Sequence, residues 1–434
     1  MSGFRHIFYY AFLACLFLAG CDSPSGIQDP DKSYFLKFYG LDGDQTGDDL
    51  LILPDGNLIL FGTTKPSGVS TTSQWYLVKA DPKGNVLWEK KFGGPFNDEA
   101  RDIELTTNNE LLLVGNTYKS ATDRDIKILK LSLSGDSLAG TSVGLKNSLG
   151  ADTDEDAVSV SLTTDGFIVA GSSSNTDLKP SVGASNDQRD AIHLRFFDNL
   201  TIYSTSWRKA HGPGSYDVAV KVIQVSATQF YLFGYTNTLV VGHSNPDFNY
   251  WVFGLGSNGD ANTADQFSGT LNDDEKLSSF CVAPTQSIEG YFLGGTTRSA
   301  TGLTDFYTTK LRKPLSFIST DLQFEKPLSI QLGINLPERT SVFASQSGGF
   351  FVLGNENNFN KDQNLILTKI NFDGSLAWGT PIVFGGEGLD ACGAVQELPD
   401  GKILLIGTMR TGRPDVGEFK MTLIKTSRDG KLTN

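Results

Sequence analysis

The residues best suited to chemistry in this chain are carboxylates, which recur in short clusters. The densest cluster places Asp42, Asp44 and Asp48 around glycine turns, an arrangement of oxygen ligands that suits a hard cation such as Ca²⁺. Position twelve of such a loop, where a bidentate Glu would complete the site, is Leu53. Similar clusters precede most of the repeats described below. This recurrence favours carboxylates that accept backbone N–H groups at turns, with calcium binding as the alternative.

No other pattern typical of catalysis is found in the sequence. It has no nucleophile-elbow serine, phosphate-binding loop or paired zinc ligands. His193, His211 and His243 have no second His or Cys at metal-ligand spacing, so we interpret them as structural or loop residues. We therefore predict no catalytic residue and no cofactor. The alternative is a glycosidase in which scattered carboxylates meet across a central channel and act as the acid and the base.

Two cysteines are predicted to be free. Cys15 lies in the apolar N-terminal segment, and Cys281 and Cys392 fall in the first strands of two different repeats. A disulfide needs Cα atoms within about 7 Å, and a whole repeat separates these two residues. We expect two buried thiols.

The charge balance excludes one class of partner. The chain has 36 Lys and Arg against 49 Asp and Glu, a net charge of −13. Such a protein is poorly suited to neutralise phosphate backbones, so nucleic acid is not an expected partner. The 47 glycines and the absence of a long amphipathic helical pattern after the first twenty residues indicate many short strands and tight turns.

A repeated unit organises the rest of the chain. In residues 48–94, apolar runs alternate with turns such as Pro54-Asp55-Gly56 and Asp81-Pro82-Lys83-Gly84, which predicts four short strands. A glycine predicted to follow the second strand recurs at intervals of about 53 to 63 residues, which indicates seven copies. These glycines are Gly62, Gly115, Gly171, Gly234, Gly295, Gly354 and Gly407.

The last copy lacks its fourth strand, and Tyr34 to Gly40 is predicted to supply it. An N-terminal strand that completes the last sheet closes a ring and removes two exposed edges. The sequence therefore predicts an all-β, seven-bladed β-propeller of four-stranded antiparallel blades over residues 34–434. An eighth blade would require a degenerate copy in residues 313–337, which we interpret as the last strand of blade five and a loop.

The N-terminus carries a targeting signal. The apolar run Ile7 to Leu18 is too short to span a bilayer comfortably. It ends at Leu18-Ala19-Gly20-Cys21, which resembles the lipobox of bacterial lipoproteins. The resemblance implies a signal peptide over residues 1–20, acylation of Cys21 and, over residues 21–33, a flexible tether. An alternative is an ordinary secretory signal with a chance cysteine.

The repeats also resemble a known group. Residues 54–63 (PDGNLILFGT) and 77–88 (LVKADPKGNVLW) are similar to the repeats of secreted bacterial propellers, many of them envelope lipoproteins of Bacteroidota-like bacteria without an assigned reaction. The second pattern also looks like the tryptophan-docking repeat of quinoprotein propellers, shared by a lipoprotein scaffold of outer-membrane protein assembly. The wider repeat spacing, and a docking tryptophan that is clear only at Trp88 and Trp378, depart from that repeat.

Tryptophans and long loops are the candidate recognition elements. Trp88, Trp207 and Trp378 recur near fourth strands, so packing between blades is favoured over sugar stacking. Two others open third strands near the loops, where exposure is expected: Trp75 and Trp251. The longest loops between second and third strands, where recognition or simple length variation is possible, are 172–189 and 235–249.

These observations predict a membrane-anchored envelope lipoprotein whose propeller is a non-catalytic binding or scaffold module for protein or glycan. Its partners would be the lipid bilayer, through acylated Cys21, and an envelope protein or glycan. We expect the outer membrane, facing the periplasm or the cell surface; Asp22 leaves the destination open because its effect differs between bacterial groups. The alternatives are a polysaccharide-acting propeller enzyme and the assembly scaffold.

Overall fold

The computed structural model describes residues 34–68, 72–120, 123–178, 188–240, 247–283, 289–334, 339–357, 362–412 and 417–432. The predicted signal peptide, tether and acylation site at Cys21 lie outside the described residues. In the part of the chain that is described, no helix has the length and hydropathy needed to cross a membrane.

Seven antiparallel sheets follow one another along the chain, each a blade whose first strand is innermost. Blades 1 to 3 comprise β2 (Asp44–Gln45), β3 (Asp49–Ile52), β4 (Leu58–Lys65), β5 (Gln74–Ala80) and β6 (Val86–Phe92); β7 (Asn97–Leu105), β8 (Leu111–Ser120), β9 (Asp123–Leu131) and β10 (Ser137–Val143); and β11 (Glu155–Thr163), β12 (Gly166–Ser173), β13 (Asp190–Phe197) and β14 (Arg208–His211).

Blades 4 and 5 comprise β15 (Asp217–Gln224), β16 (Phe230–Thr236), β17 (Asn249–Leu255) and β18 (Gln266–Ser268); and β19 (Asp274–Ala283), β20 (Gly290–Arg298), β21 (Leu303–Arg312), β22 (Leu322–Pro327) and β23 (Gly333–Ile334). Blades 6 and 7 comprise β24 (Ser341–Ala344), β25 (Phe350–Asn357), β26 (Gln363–Ile370) and β27 (Ile382–Phe384); and β28 (Ala391–Glu397), β29 (Ile403–Thr411), β30 (Glu418–Thr426) and the N-terminal β1 (Phe35–Tyr39). The described residues also form three single-turn 3₁₀ helices: Thr176–Leu178, Thr205–Trp207 and Ser319–Asp321.

The predicted ring closure is confirmed. Strand β1 pairs antiparallel with β30, from Phe35 opposite Lys425 to Tyr39 opposite Met421. The Tyr39 hydroxyl also donates to the carbonyl oxygen of Gly84 in blade 1, at 2.8 Å. Strands β22 and β23 join the sheet of blade 5, so the described residues of 313–337 form no eighth blade, as predicted.

The repeated glycine lies within the second strand rather than after it, which corrects the prediction. In blade 3 it pairs with a residue beside a bulge in the first strand, Gly171 opposite Ala157. The bulge turns the Asp156 carbonyl toward the glycine, and a Cβ on Gly171 would lie 2.0 Å from that oxygen. The same close approach of a first-strand carbonyl occurs at Gly115, Gly234, Gly295 and Gly407, and at Gly62 the carbonyl is that of Thr46, between β2 and β3. Only glycine fits there.

Aromatic rings join successive blades, which confirms the packing predicted for the tryptophans. A Cβ on Gly135, in the last turn of blade 2, would lie 3.0 Å from the ring of Trp88 in blade 1. The same contact joins Phe35 to Gly84, Trp207 to Gly259, Phe324 to Gly374 and Trp378 to Gly430. All five glycines have φ between +75° and +77°, a left-handed conformation that suits glycine best.

Candidate functional site

The first strands of all seven blades line a central channel, which holds a cavity of about 670 Å³. Each first strand begins at the same end of the channel, and we call this end the mouth. The connections between second and third strands reach the same end because neighbouring strands are antiparallel. The described ends of the two long loops predicted for recognition therefore lie at the mouth; residues 179–187 and 241–246 are outside the described residues.

One side of the mouth is a network of arginines and carboxylates. Arg339 donates from Nη1 to the Asp48 carboxylate at 2.6 Å and from Nη2 to the Asp48 carbonyl oxygen at 2.8 Å. Arg101 donates to Glu99 at 2.7 Å and to Asp156 at 3.3 Å. A second cavity of about 520 Å³ adjoins this side and shares Asp48, Arg101 and Arg339 with the channel. Asp48, a predicted cation ligand, is therefore held by an arginine.

The network continues into blade 3. Arg124 donates from Nε and Nη2 to the two Asp154 carboxylate oxygens, both at 2.7 Å, and its Nη1 lies 2.9 Å from Asp156. Arg189 also donates to Asp154. Burial alone would raise the pKa of Asp154, but the hydrogen bonds and charges of the two arginines lower it to about 2. These carboxylates are charged and paired with arginines, a role that the sequence did not reveal.

Aromatic side chains form the opposite side of the mouth. Phe248 packs edge-on against Tyr235 and Tyr216, with ring centroids 5.7 and 5.9 Å apart. The ammonium of Lys276 lies 4.4 Å from the Phe248 ring centroid, and both Lys276 and Tyr235 line the channel cavity. The three rings are half-buried, so part of each faces the solvent.

Deeper in the channel, carboxylates link successive blades through backbone N–H groups, as predicted for the clusters. Asp49 accepts from the Ile103 N–H at 3.1 Å, and Asp102 accepts from the Val160 N–H at 2.7 Å. The Asp49 and Asp102 carboxyls also lie next to each other. Burial, and then Asp102, raise the pKa of Asp49 well above its usual value.

This carboxyl pair does not have glycosidase geometry. The acid and its partner must stand about 5 to 9.5 Å apart to leave room for a sugar or water between them. Asp49 and Asp102 are adjacent and leave no such gap, and Lys221 lies 3.5 Å from Asp102 and 3.6 Å from Glu104. The carboxylates of this cluster are engaged by backbone N–H groups and by Lys221.

The other two proposed calcium ligands are turned toward protein groups. Asp44 accepts from the Phe419 N–H of blade 7 at 3.0 Å, and Asp42 accepts from the Ser67 hydroxyl at 3.0 Å. Among the described residues, no group of three or more His, Cys, Asp or Glu side chains is placed to hold a metal ion. Calcium binding at Asp42, Asp44 and Asp48 stays a prediction.

Two of the histidines form a buried pair that the sequence did not predict. Strand β14 pairs with β13 and brings His211 Nε2 to 3.1 Å from His193 Nε2 and 3.3 Å from the Gly259 carbonyl oxygen. Burial lowers the pKa of His193 well below its usual value and that of His211 to about 4. Both rings are neutral near pH 7. His243 lies outside the described residues.

The expected exposure of Trp75 and Trp251 is wrong, because both side chains are fully buried between blades. Cys281 and Cys392 are free, as predicted. Cys392 is buried, but Cys281 is only partly so because it lines the channel. Burial raises the pKa of Cys392 to about 11, although Arg339 beside it lowers that pKa.

The sequence matches no protein-family model and no curated protein. Solved structures do resemble it. The extracellular domains 1–2 of Drosophila semaphorin 1a share 7% identity with it, with a TM-score of 0.50 over 91% of this chain and 88% of that one. Penicillium chrysogenum α-L-arabinanase in complex with arabinobiose shares 10% identity, with a TM-score of 0.49 over 90% of this chain and 95% of that one. A Dyadobacter fermentans protein of unknown function shares 8% identity, with a TM-score of 0.49 over 91% of this chain and 98% of that one. At such identities the likeness to semaphorin shows the β-propeller fold alone.

Proposed function

We propose that this chain is a lipoprotein of the bacterial cell envelope, anchored through acylated Cys21, whose propeller binds a glycan or a protein at the channel mouth without catalysing a reaction. The mouth carries the proposal. It joins an ordered charged network to half-exposed aromatic rings on a rigid ring of sheets, the arrangement expected of a preformed binding site.

The state of the carboxylates supports binding rather than catalysis. The side chains of Asp48, Asp154 and Asp156 are paired with arginines, and Asp102 accepts the Val160 N–H and lies beside Lys221. A general acid or base must be able to exchange a proton with substrate, and these carboxylates are instead engaged by groups of the protein.

The anchor is tested by fractionating cells that express the full chain or Cys21→Ala. We expect the first in the membrane fraction, with mobility and mass that show acylation, and the variant in the soluble fraction. Asp22→Ser keeps the acylated cysteine and serves as the matched control, because it should stay in the membrane fraction whichever membrane Asp22 specifies. A Cys21→Ala variant that stays in the membrane fraction contradicts the anchor.

Binding is tested with the detergent-solubilised full chain on envelope extracts and polysaccharides. Bound material that is recovered unchanged supports a binding module, whereas shortened polysaccharide products identify an enzyme. Co-purification with the outer-membrane insertion machinery would identify an assembly scaffold. Binding that does not depend on Arg101 or Tyr235 contradicts the assignment to the mouth.

A further inference from the structure

The two sides of the mouth differ in chemistry, and together they restrict the ligand. The charged side contains four arginines and four carboxylates: six of these residues form one chain of ion pairs, and Asp48 and Arg339 form a separate pair beside it. The members are Asp48, Glu99, Arg101, Arg124, Asp154, Asp156, Arg189 and Arg339. Formal charge is balanced within this network, so it offers no net attraction to an anion or a cation.

The paired arginines are also poor receptors for phosphate, sulfate or carboxylate. Such a group would have to displace an intramolecular carboxylate, which would leave that carboxylate unpaired in a partly buried site. A hydroxyl needs no such displacement, since it can accept a guanidinium N–H and donate to a carboxylate at the same time. Arg101, for example, uses only part of its five-donor guanidinium on Glu99 and Asp156.

The network is reachable from the channel. The side chains of Arg101 and Asp156 are each 25% exposed, and that of Arg339 is 39% exposed. Tyr235 lines the same cavity, on the side where Phe248 and Tyr216 pack against it. A ligand in the mouth can therefore contact polar groups on one side and an aromatic ring on the other.

We propose that the mouth binds an uncharged oligosaccharide, with the C–H face of a sugar ring against Tyr235 and sugar hydroxyls hydrogen-bonded to Arg101, Asp156 and the Asp48–Arg339 pair. The inference deepens the proposed function and rests on it. A neutral sugar has both an apolar ring face and radiating hydroxyls, and thus matches both sides. The cavity of about 670 Å³ has the size of a small-molecule site and admits a chain end rather than a folded domain.

The test measures binding by calorimetry with the full chain in detergent. The probes are neutral oligosaccharides of several linkages, the corresponding uronic-acid and sulfated oligosaccharides, and short acidic and basic peptides. We expect a neutral oligosaccharide to bind at least tenfold more tightly than its charged counterparts. Tyr235→Ala should weaken this binding at least tenfold, whereas Tyr203→Ala, a half-buried tyrosine that lines neither mouth cavity, should leave it unchanged.

Asp156→Asn adds a charge test that does not depend on removing a ring. It leaves the mouth with an excess of arginine, so neutral-sugar binding should fall and sulfated-sugar binding should rise. Thermal melting of each variant identifies any that fails to fold, and Asp156→Asn keeps the side-chain shape if Tyr235→Ala is unstable.

The inference is overturned if the chain prefers charged sugars or peptides. It is also overturned if neutral-sugar binding is unchanged in all of the mouth variants. If a protein partner binds through Arg101 and Tyr235 while no sugar does, the proposed function stands and the sugar assignment falls. If Cys21→Ala stays in membranes, the anchor falls without affecting the sugar result.

Discussion

The buried histidine pair makes stability depend on pH in a way that can be calculated. His193 and His211 contact each other at 3.1 Å and lie against the rings of Trp207 and Phe253. Burial lowers the pKa of His211 from 6.5 to about 4. As pH falls below 6.5, the unfolded chain binds a proton at this residue that the folded chain does not bind until about pH 4. Acidification therefore favours unfolding.

The magnitude follows from the two pKa values. Between pH 7.5 and pH 5, His211 alone should reduce the free energy of unfolding by about 2 kcal/mol. His193, whose pKa is lowered in the same direction, adds to this loss. With an unfolding entropy of roughly 2.1 cal/mol/K per residue, about 2 kcal/mol corresponds to a melting temperature shift of about 2 to 3 °C for a propeller of this length.

The assay compares melting temperatures across pH for the natural chain and the double variant His193→Gln/His211→Gln. Acids act in the opposite direction: burial raises the pKa of Glu275 to about 7 and that of Asp390 to about 6, which stabilises the fold as pH falls. These acids are common to both proteins, so the difference between the two curves isolates the histidines. We expect the natural chain to lose at least 2 to 3 °C relative to the variant between pH 7.5 and pH 5.

The control is Phe253→Leu, which removes a ring packed on His211 but leaves both histidines able to titrate. Its melting curve should lie below that of the natural chain and run parallel to it. Parallel curves for the double variant as well would refute the argument, because they would mean that the histidines gain protons equally in the folded and unfolded chains.

Three further outcomes follow from the fold. Gly171→Ala should lower the melting temperature by several degrees or prevent folding, because its Cβ would meet the Asp156 carbonyl at 2.0 Å. The control Gly94→Ala, which has open space around it, should be neutral in the same melting assay. Trp207→Ala should reduce the free energy of unfolding in urea by about 3 to 5 kcal/mol, since the side chain is fully buried; a loss below about 1 kcal/mol would contradict its role. Of Cys281 and Cys392, a thiol reagent should label both in the denatured chain but at most Cys281 in the folded one, and rapid native labelling of both would contradict the structure.

The architecture was predictable because turn residues and regularly spaced glycines identify the repeat in the sequence. Closure by Tyr34–Gly40 followed from a strand missing at one end of the sequence and present at the other, and β1 pairs with β30 accordingly. The place of the repeated glycine within its strand was not predictable. It depends on a bulge in the neighbouring strand, as at Ala157, and one sequence does not show where a strand gains an extra residue.

The candidate site was predicted less well. Its main contacts join residues far apart in the chain: Asp48 with Arg339, and Arg101 with Asp156. Each carboxylate cluster was visible, but its partner depends on how the ring brings different blades together at the mouth. Trp75 was misplaced for a simpler reason: a tryptophan at the start of a strand can point either to a loop or between sheets, and strand position alone does not decide.

The pairing of β1 with β30 also sets the order in which the protein can be completed. Phe35 and Lys425 are about 390 positions apart, so the segment translated first finds its partner only after nearly all of the chain has been made. Joining ends this distant costs about 2 kcal/mol more in chain entropy than pairing within one repeat of about 55 residues. Until that moment β1 is unpaired and β30 has one open edge, and both can associate with other chains. Slow synthesis of the chain therefore prolongs its most aggregation-prone state, and a product that terminates before β30 never leaves it.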